Sequence, residues 1–216
     1  MGEEPGTTCR TCGRAILETT ARLKGGLCGP CRNKLQAEEA KAKWEPMRRQ
    51  GLAPVTPDEL EKVQSAADIE AACHFIFDKA HWKWTEHGEP ALTTGERTVI
   101  AVETFFGETC NGGLLQFLLN ESGAFARDLP ASLMRVGLTA YVPLALELTR
   151  LFPAALSRDP DARGDQLDAL DGGDDTLAAL SERFFELYHH DEGRVFRERL
   201  IEYIRANPRE FVSDFT

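Results

Sequence analysis

Four cysteines stand as Cys9-x-x-Cys12 and, after fifteen intervening residues, Cys28-x-x-Cys31. Two thiolate pairs at this spacing converge on one tetrahedral metal, with Zn–S distances of about 2.3 Å. All four side chains are of the ligating type, so no coordination position is left for water or substrate. The expected role is therefore structural zinc rather than catalytic zinc. Gly13 follows the first pair and Gly29-Pro30 lies inside the second. Such turns aim backbone N–H groups at the sulfurs. Two disulfides are the competing chemistry. The N-terminus, Met1-Gly2-Glu3-Glu4-Pro5, is acidic and lacks an apolar leader segment. The expectation is a cytoplasmic protein with reduced, metal-binding thiols. Iron also accepts four thiolates, so the metal's identity stays open at this point. Cys73 and Cys110 lie in apolar stretches, which predicts small buried side chains.

A second group of polar residues lies inside an otherwise apolar stretch: Glu103, Glu108, Asn111, Gln116 and Asn120. Gln116 and Asn120 are four apart and share a helix face. Asn111 sits where an N-cap would serve the helix that follows, and Gly112-Gly113 permits a bend there. Two readings are open. One is a hydrogen-bonded network that fixes a helix–helix joint. The other is an enzyme using Glu103 or Glu108 as general base, which requires a pocket and a tuned pKa.

The third group is acidic. Ser157–Glu192 holds Asp159, Asp161, Asp165, Asp168, Asp171, Asp174, Asp175, Glu182, Glu186, Asp191 and Glu192 against three arginines. A DNA-binding protein engages roughly 6–10 phosphates, and this stretch offers a comparable number of carboxylates. A solvated acidic loop and helix face is the alternative. Asp171-Gly172-Gly173-Asp174-Asp175 is too short for a calcium loop. The histidines, His74, His81, His87, His189 and His190, show no metal-ligand spacing, and no phosphate loop or serine elbow is present.

The elements that must carry these groups are helical. Arg32–Trp44 runs helically out of the second cysteine pair, as in a treble-clef or ribbon-type finger. Pro46, Gly51, Pro54 and Pro57 mark residues 46–57 as a linker. Thr56-Pro57-Asp58-Glu59 and Thr93-Thr94-Gly95-Glu96 are helix starts. Ile69, Ala72, Cys73, Ile76, Phe77 and Ala80 have helical spacing, and Gly88 and Pro90 end that run. A short helix is expected from Gly112 to Glu121, stopped by Gly123, and another from Pro130 to Leu151 with a break near Pro143. Thr176–His189 and Arg194–Ala206 are amphipathic. No strand alternation is present. The expectation is an all-α protein: a multi-helix acidic body over residues 58–216 and a small N-terminal zinc module over residues 1–45.

Charge divides the same way. Residues 1–50 hold ten Lys/Arg against six Asp/Glu, while residues 51–216 hold 15 against 29. An acidic body is repelled by nucleic acid and by anionic membrane, and no apolar run approaches the ~18 residues of a membrane span. The basic module, with Arg10, Arg14, Arg22, Lys24, Arg32 and Lys34, is the part suited to nucleic acid or to a role as adaptor.

The pattern Glu108-x-x-Asn111-Gly112-Gly113-x-x-Gln116-Phe117-x-x-Asn120-x-x-Gly123 resembles the signature of the bacterial DNA-mimic protein family. The resemblance extends over about residues 58–212 and excludes the zinc module. It implies a non-enzymatic, acidic, helical protein that pairs as a homodimer. Its surface would imitate the phosphate array of DNA and occupy a basic DNA-binding protein. The acidic stretch supplies the candidate contact residues for such a surface: Asp159, Asp161, Asp165, Asp168, Asp171, Asp174, Asp175, Glu182 and Glu186.

Overall fold

The computed structural model describes residues 6–170, 172–190 and 193–212. The chain divides into two units, Met1–Gly51 and Leu52–Thr216. The first unit opens with strands β1 (Gly6–Thr8) and β2 (Ala15–Leu17), paired antiparallel with Thr7 opposite Ile16. Three residues are too few to show alternation, which is why no strand was legible here. Helix α1 (Glu18–Leu23) follows, then α2 (Gly29–Leu52).

Helix α2 passes through the segment expected to be a linker. Pro46 lies inside it, and the helix continues to Leu52. Proline costs this helix one i→i−4 bond. On the same turn Glu45 pairs with Arg48 at 3.6 Å and with Arg49 at 3.2 Å. The division between units falls between Gly51 and Leu52, and only residues 53–56 are irregular before the next helix.

The second unit contains α3 (Pro57–Ser65), α4 (Ile69–His87), α5 (Thr94–Leu119), α6 (Leu129–Val136), α7 (Val142–Arg150), α8 (Pro160–Asp168), α9 (Gly173–His189) and α10 (Arg194–Ala206). Both expected helix starts are full capping boxes. Thr56 and Thr93 each accept from the amide three residues on, and Glu59 and Glu96 each answer to the cap amide. The long apolar stretch after Pro130 breaks at Gly137 rather than near Pro143. Gly137 takes a left-handed φ of 81° and ends α6, a conformation that glycine adopts without Cβ strain. Pro143 opens α7 instead, where its missing N–H costs nothing.

Helix α5 is the central element and packs against α4, α6, α8 and α9. Its inward residues Val99, Val102, Phe105 and Phe106 are buried. They meet an aromatic cluster in which Phe106 stacks on Phe196 at 4.2 Å between centroids. Phe105 meets Phe117 and Phe184 edge to face at 5.6 and 5.3 Å. Such pairs each add about 0.5–1.5 kcal/mol beyond burial. At the end of the unit, Val55 and Val212 form a parallel bridge. Among the described residues no helix is long and apolar enough to cross a membrane.

Candidate functional site

The four expected metal ligands do converge. The Sγ atoms of Cys9, Cys12, Cys28 and Cys31 all lie within 4.8 Å of one another. Cys12 and Cys28 are 3.6 Å apart, close to the edge of about 3.8 Å that a tetrahedron with 2.3 Å Zn–S bonds requires. The positioning is local. Cys9 and Cys12 lie on the turn between β1 and β2, where the Cys9 amide donates to Arg14 O at 2.8 Å and the Gly13 amide to Cys9 O at 2.8 Å. Cys28 directly precedes α2 and Cys31 sits in its first turn, the arrangement of a treble clef. The Cys28 amide donates to Cys9 Sγ at 3.3 Å. Backbone amides of Cys28, Cys12 and Thr11 lower the Cys9 thiol to about 6, so it is readily a thiolate. Side-chain hydrogen bonding with Cys28 and then Cys12 raises the Cys31 thiol to about 12. Four sulfurs this close cannot all ionise without a cation among them, and the donor set therefore fits a thiophilic divalent metal. Around them, Arg10, Arg14, Arg22, Lys24 and Lys34 are exposed, and Arg32 is half-buried.

The polar group in α5 is a clamp. Gly112 and Gly113 leave the helical region, with Gly113 at φ 76°, so α5 is two helical halves joined by a kink. Glu108, before the kink, accepts from Gln116 Nε2 and from Asn120 Nδ2, both at 2.7 Å, after it. A Cβ on Gly112 would collide with the Gln116 side chain. Phe117 joins the aromatic core. The expected N-cap at Asn111 is overturned: Asn111 is exposed, and the first free amide of the second half, Leu114, donates to the Ser181 hydroxyl of α9 at 3.0 Å. The kink displaces Asn111 from the capping position, so a hydroxyl distant in sequence takes that role.

The last signature glycine makes room for a residue the sequence did not reveal. Arg163, on α8, is 0% exposed and donates to the carbonyls of Leu118, Asn120, Ser157 and Arg158. It closes the C-terminal end of α5, whose last carbonyls have no helical partner. A Cβ on Gly123 would sit 2.6 Å from the Arg163 Nε and 2.5 Å from Leu118 O. Burial lowers the Arg163 pKa, with Asp159 opposing that shift. The only early signal for Arg163 was its spacing four before the apolar Leu167 in a run otherwise charged.

Of the two carboxylates considered as bases, Glu108 is held by both amides of the clamp. Glu103 is half-buried, and burial raises its pKa against the pull of His74 and Arg197. Cys73 is buried, and burial raises its thiol to about 12. Cys110 is exposed, contrary to expectation; it lies just before the kink, where the inward periodicity of the first half of α5 stops.

The acidic stretch forms more helix than expected, because α8 as well as α9 is helical. Asp159 caps α8 by accepting from the Ala162 amide at 2.9 Å. Asp161, Asp165 and Asp168 recur at i, i+4 and i+7 and share the face of α8 opposite Arg163 and Leu167. Asp175, Glu182 and Glu186 recur at i, i+7 and i+11 and share the face of α9 opposite Leu177, Leu180 and Phe184. Asp174 lies beside them in the first turn. All eight of these residues are exposed, and none of them takes part in an ion pair. Arg183, the cation nearest in sequence on α9, is paired with Glu147 at 2.6 Å. Asp171, Asp191 and Glu192 fall outside the described residues.

A family model described as DMP19-like protein matches residues 90–207, more than half of the chain. The match takes in the clamp, the kink, Arg163 and both acidic faces, and leaves out the four cysteines. No curated protein and no solved structure matches.

Proposed function

The chain belongs to the DMP19-like protein family, and from that premise we propose that it is a binding protein rather than an enzyme. Its acidic helical surface takes the place of DNA on a basic DNA-binding protein. The observation that carries this reading is the pair of unneutralised carboxylate faces on α8 and α9. At 1.5 Å per residue their acids recur about every 5 Å on α8 and every 8 Å on α9, against one phosphate per about 3.4 Å along a DNA strand. The imitation is sparser than DNA itself, and a homodimer would double the number of charges offered. The clamp and Arg163 support the faces from within and are not themselves the contact.

The four thiolates hold a structural zinc ion in this reading. A module of this size buries little apolar surface; among the described residues its buried cluster is Cys9, Leu27 and Cys28. Its folding free energy comes largely from the metal. Four metal-binding thiols, kept reduced, support a cytoplasmic location in this reading.

The full chain, immobilised and exposed to a bacterial lysate, tests the reading. Retained proteins should be DNA-binding ones, released by added duplex DNA and by rising salt, since exposed charges are screened beyond about 8–10 Å. Neutralising Asp161, Asp165, Asp168, Asp175, Glu182 and Glu186 to their amides should abolish retention. Retained proteins that withstand both DNA and salt would overturn the proposal.

A further inference from the structure

A groove opens between the second half of α5, the end of α8 and the start of α9. Its volume is about 540 Å³. Leu167, Leu170 and Leu177 line it together with two leucines of α5, Leu115 and Leu119. Those two are spaced i, i+4 on an amphipathic turn, yet they are 37% and 51% exposed. Their neighbours Leu114, Phe117 and Leu118 are buried, so the helix presents leucines on both sides. Three exposed carboxylates, Asp168, Asp174 and Asp175, also line the groove, and among the described residues no Lys or Arg does. Asp168 and Asp175 belong to the two acidic faces, so the groove lies where those faces meet the α5 leucines.

We propose that this groove docks a basic amphipathic helix of the DNA-binding partner. The partner's apolar side chains would lie on Leu115, Leu119 and Leu170, and its Lys or Arg residues would reach the three aspartates. This rests on the reading of the chain as a DNA mimic and names how the partner is held. Two observations select the occupant. A second copy of this chain would bring the same carboxylates against its own, a repulsive contact. The acidic faces are also sparser in charge than DNA, so a protein that displaces DNA from its partner needs contact that is not electrostatic. Apolar anchors at i and i+4 in a groove supply it.

The probe is a synthetic helix of about five turns, made of leucine and lysine with the leucines on one face. A control of the same composition has its leucines scattered round the helix. The full chain carries labelled leucine methyls. The one-faced helix should shift the methyls of Leu115 and Leu119, and the scattered control should bind about tenfold more weakly. The double variant Leu115→Ser/Leu119→Ser should also lose about tenfold in affinity, its urea midpoint holding because both side chains are exposed. The triple variant Asp168→Asn/Asp174→Asn/Asp175→Asn should flatten the salt dependence. Equal binding of both peptides, methyl shifts confined elsewhere, or an unchanged affinity of the serine variant would each overturn the docking proposal. The lysate experiment separates this from the mimic reading. If the serine variant retains DNA-releasable proteins as the wild type does, the groove proposal falls and the mimic reading stands. If the wild type retains none, the mimic reading falls and takes the DNA-binding partner's helix with it, whatever the peptide does.

Discussion

Replacing Arg163 by methionine should be among the most damaging single changes to the acidic body. The substitution keeps an apolar stem and removes every donor. Four carbonyls, those of Leu118, Asn120, Ser157 and Arg158, lose their partner together. Hydrogen bonds to a charged group contribute about 1.5–3 kcal/mol each, so the gross loss is about 6–12 kcal/mol. Removing the guanidinium also relieves its desolvation, which amounts to several kcal/mol for a buried ion. The net destabilisation is then about 3–5 kcal/mol, a large share of the ~5–15 kcal/mol that holds a domain together. For a chain of this size it corresponds to a fall of about 6–20 °C in Tm. Urea unfolding of the full chain, followed by far-UV circular dichroism, measures it. Hydrogen exchange should accelerate at the amides of the turn Glu121–Phe125. Arg163→Lys should recover less than half, because an ammonium donates from a single point and cannot span four carbonyls. A loss below about 1 kcal/mol in the methionine variant would refute the reasoning, since the carbonyls would then be satisfied without the guanidinium.

Gly123→Ala should cost about 1–3 kcal/mol in the same assay, because the new Cβ meets backbone oxygens that cannot yield. Glu103→Gln should raise stability at neutral pH. The folded pKa of Glu103 lies above its unfolded value, so the stability it lends is full in acid and is lost as pH rises through the folded value. The advantage of the glutamine variant should therefore vanish at acid pH, as a series of urea curves across pH would record. Cys12→Ser should lower bound zinc, measured by elemental analysis, from one ion per chain to less than one. Chelation of the wild type should collapse the amide dispersion of residues 6–31.

What the sequence made legible was whatever it encodes locally. Cysteine spacing predicted the thiol cluster, and two threonine–glutamate pairs predicted both capping boxes. The exposed acids of α8 and α9 follow from helical periodicity once the helices are known. What escaped depended on partners far along the chain. Ser181 caps a helix 67 residues away, and no local pattern announces that. Arg163 is an arginine in a charged run, and its burial becomes sensible only beside a glycine forty residues earlier. Pro46 and Gly51 were punctuation marks that the helix ran through, because a single proline removes one bond from a helix of 24 residues.

The clamp has a bearing on kinship. Glu108, Gly112, Gly113, Gln116, Phe117, Asn120 and Gly123 bend α5, hold the bend and admit the buried arginine. The carboxylates on α8 and α9 stand outside that machinery, exposed on the helix surface. The residues that shape the scaffold and those that present charge are therefore separate sets. A descendant could exchange its entire set of surface acids while its scaffold kept its bend.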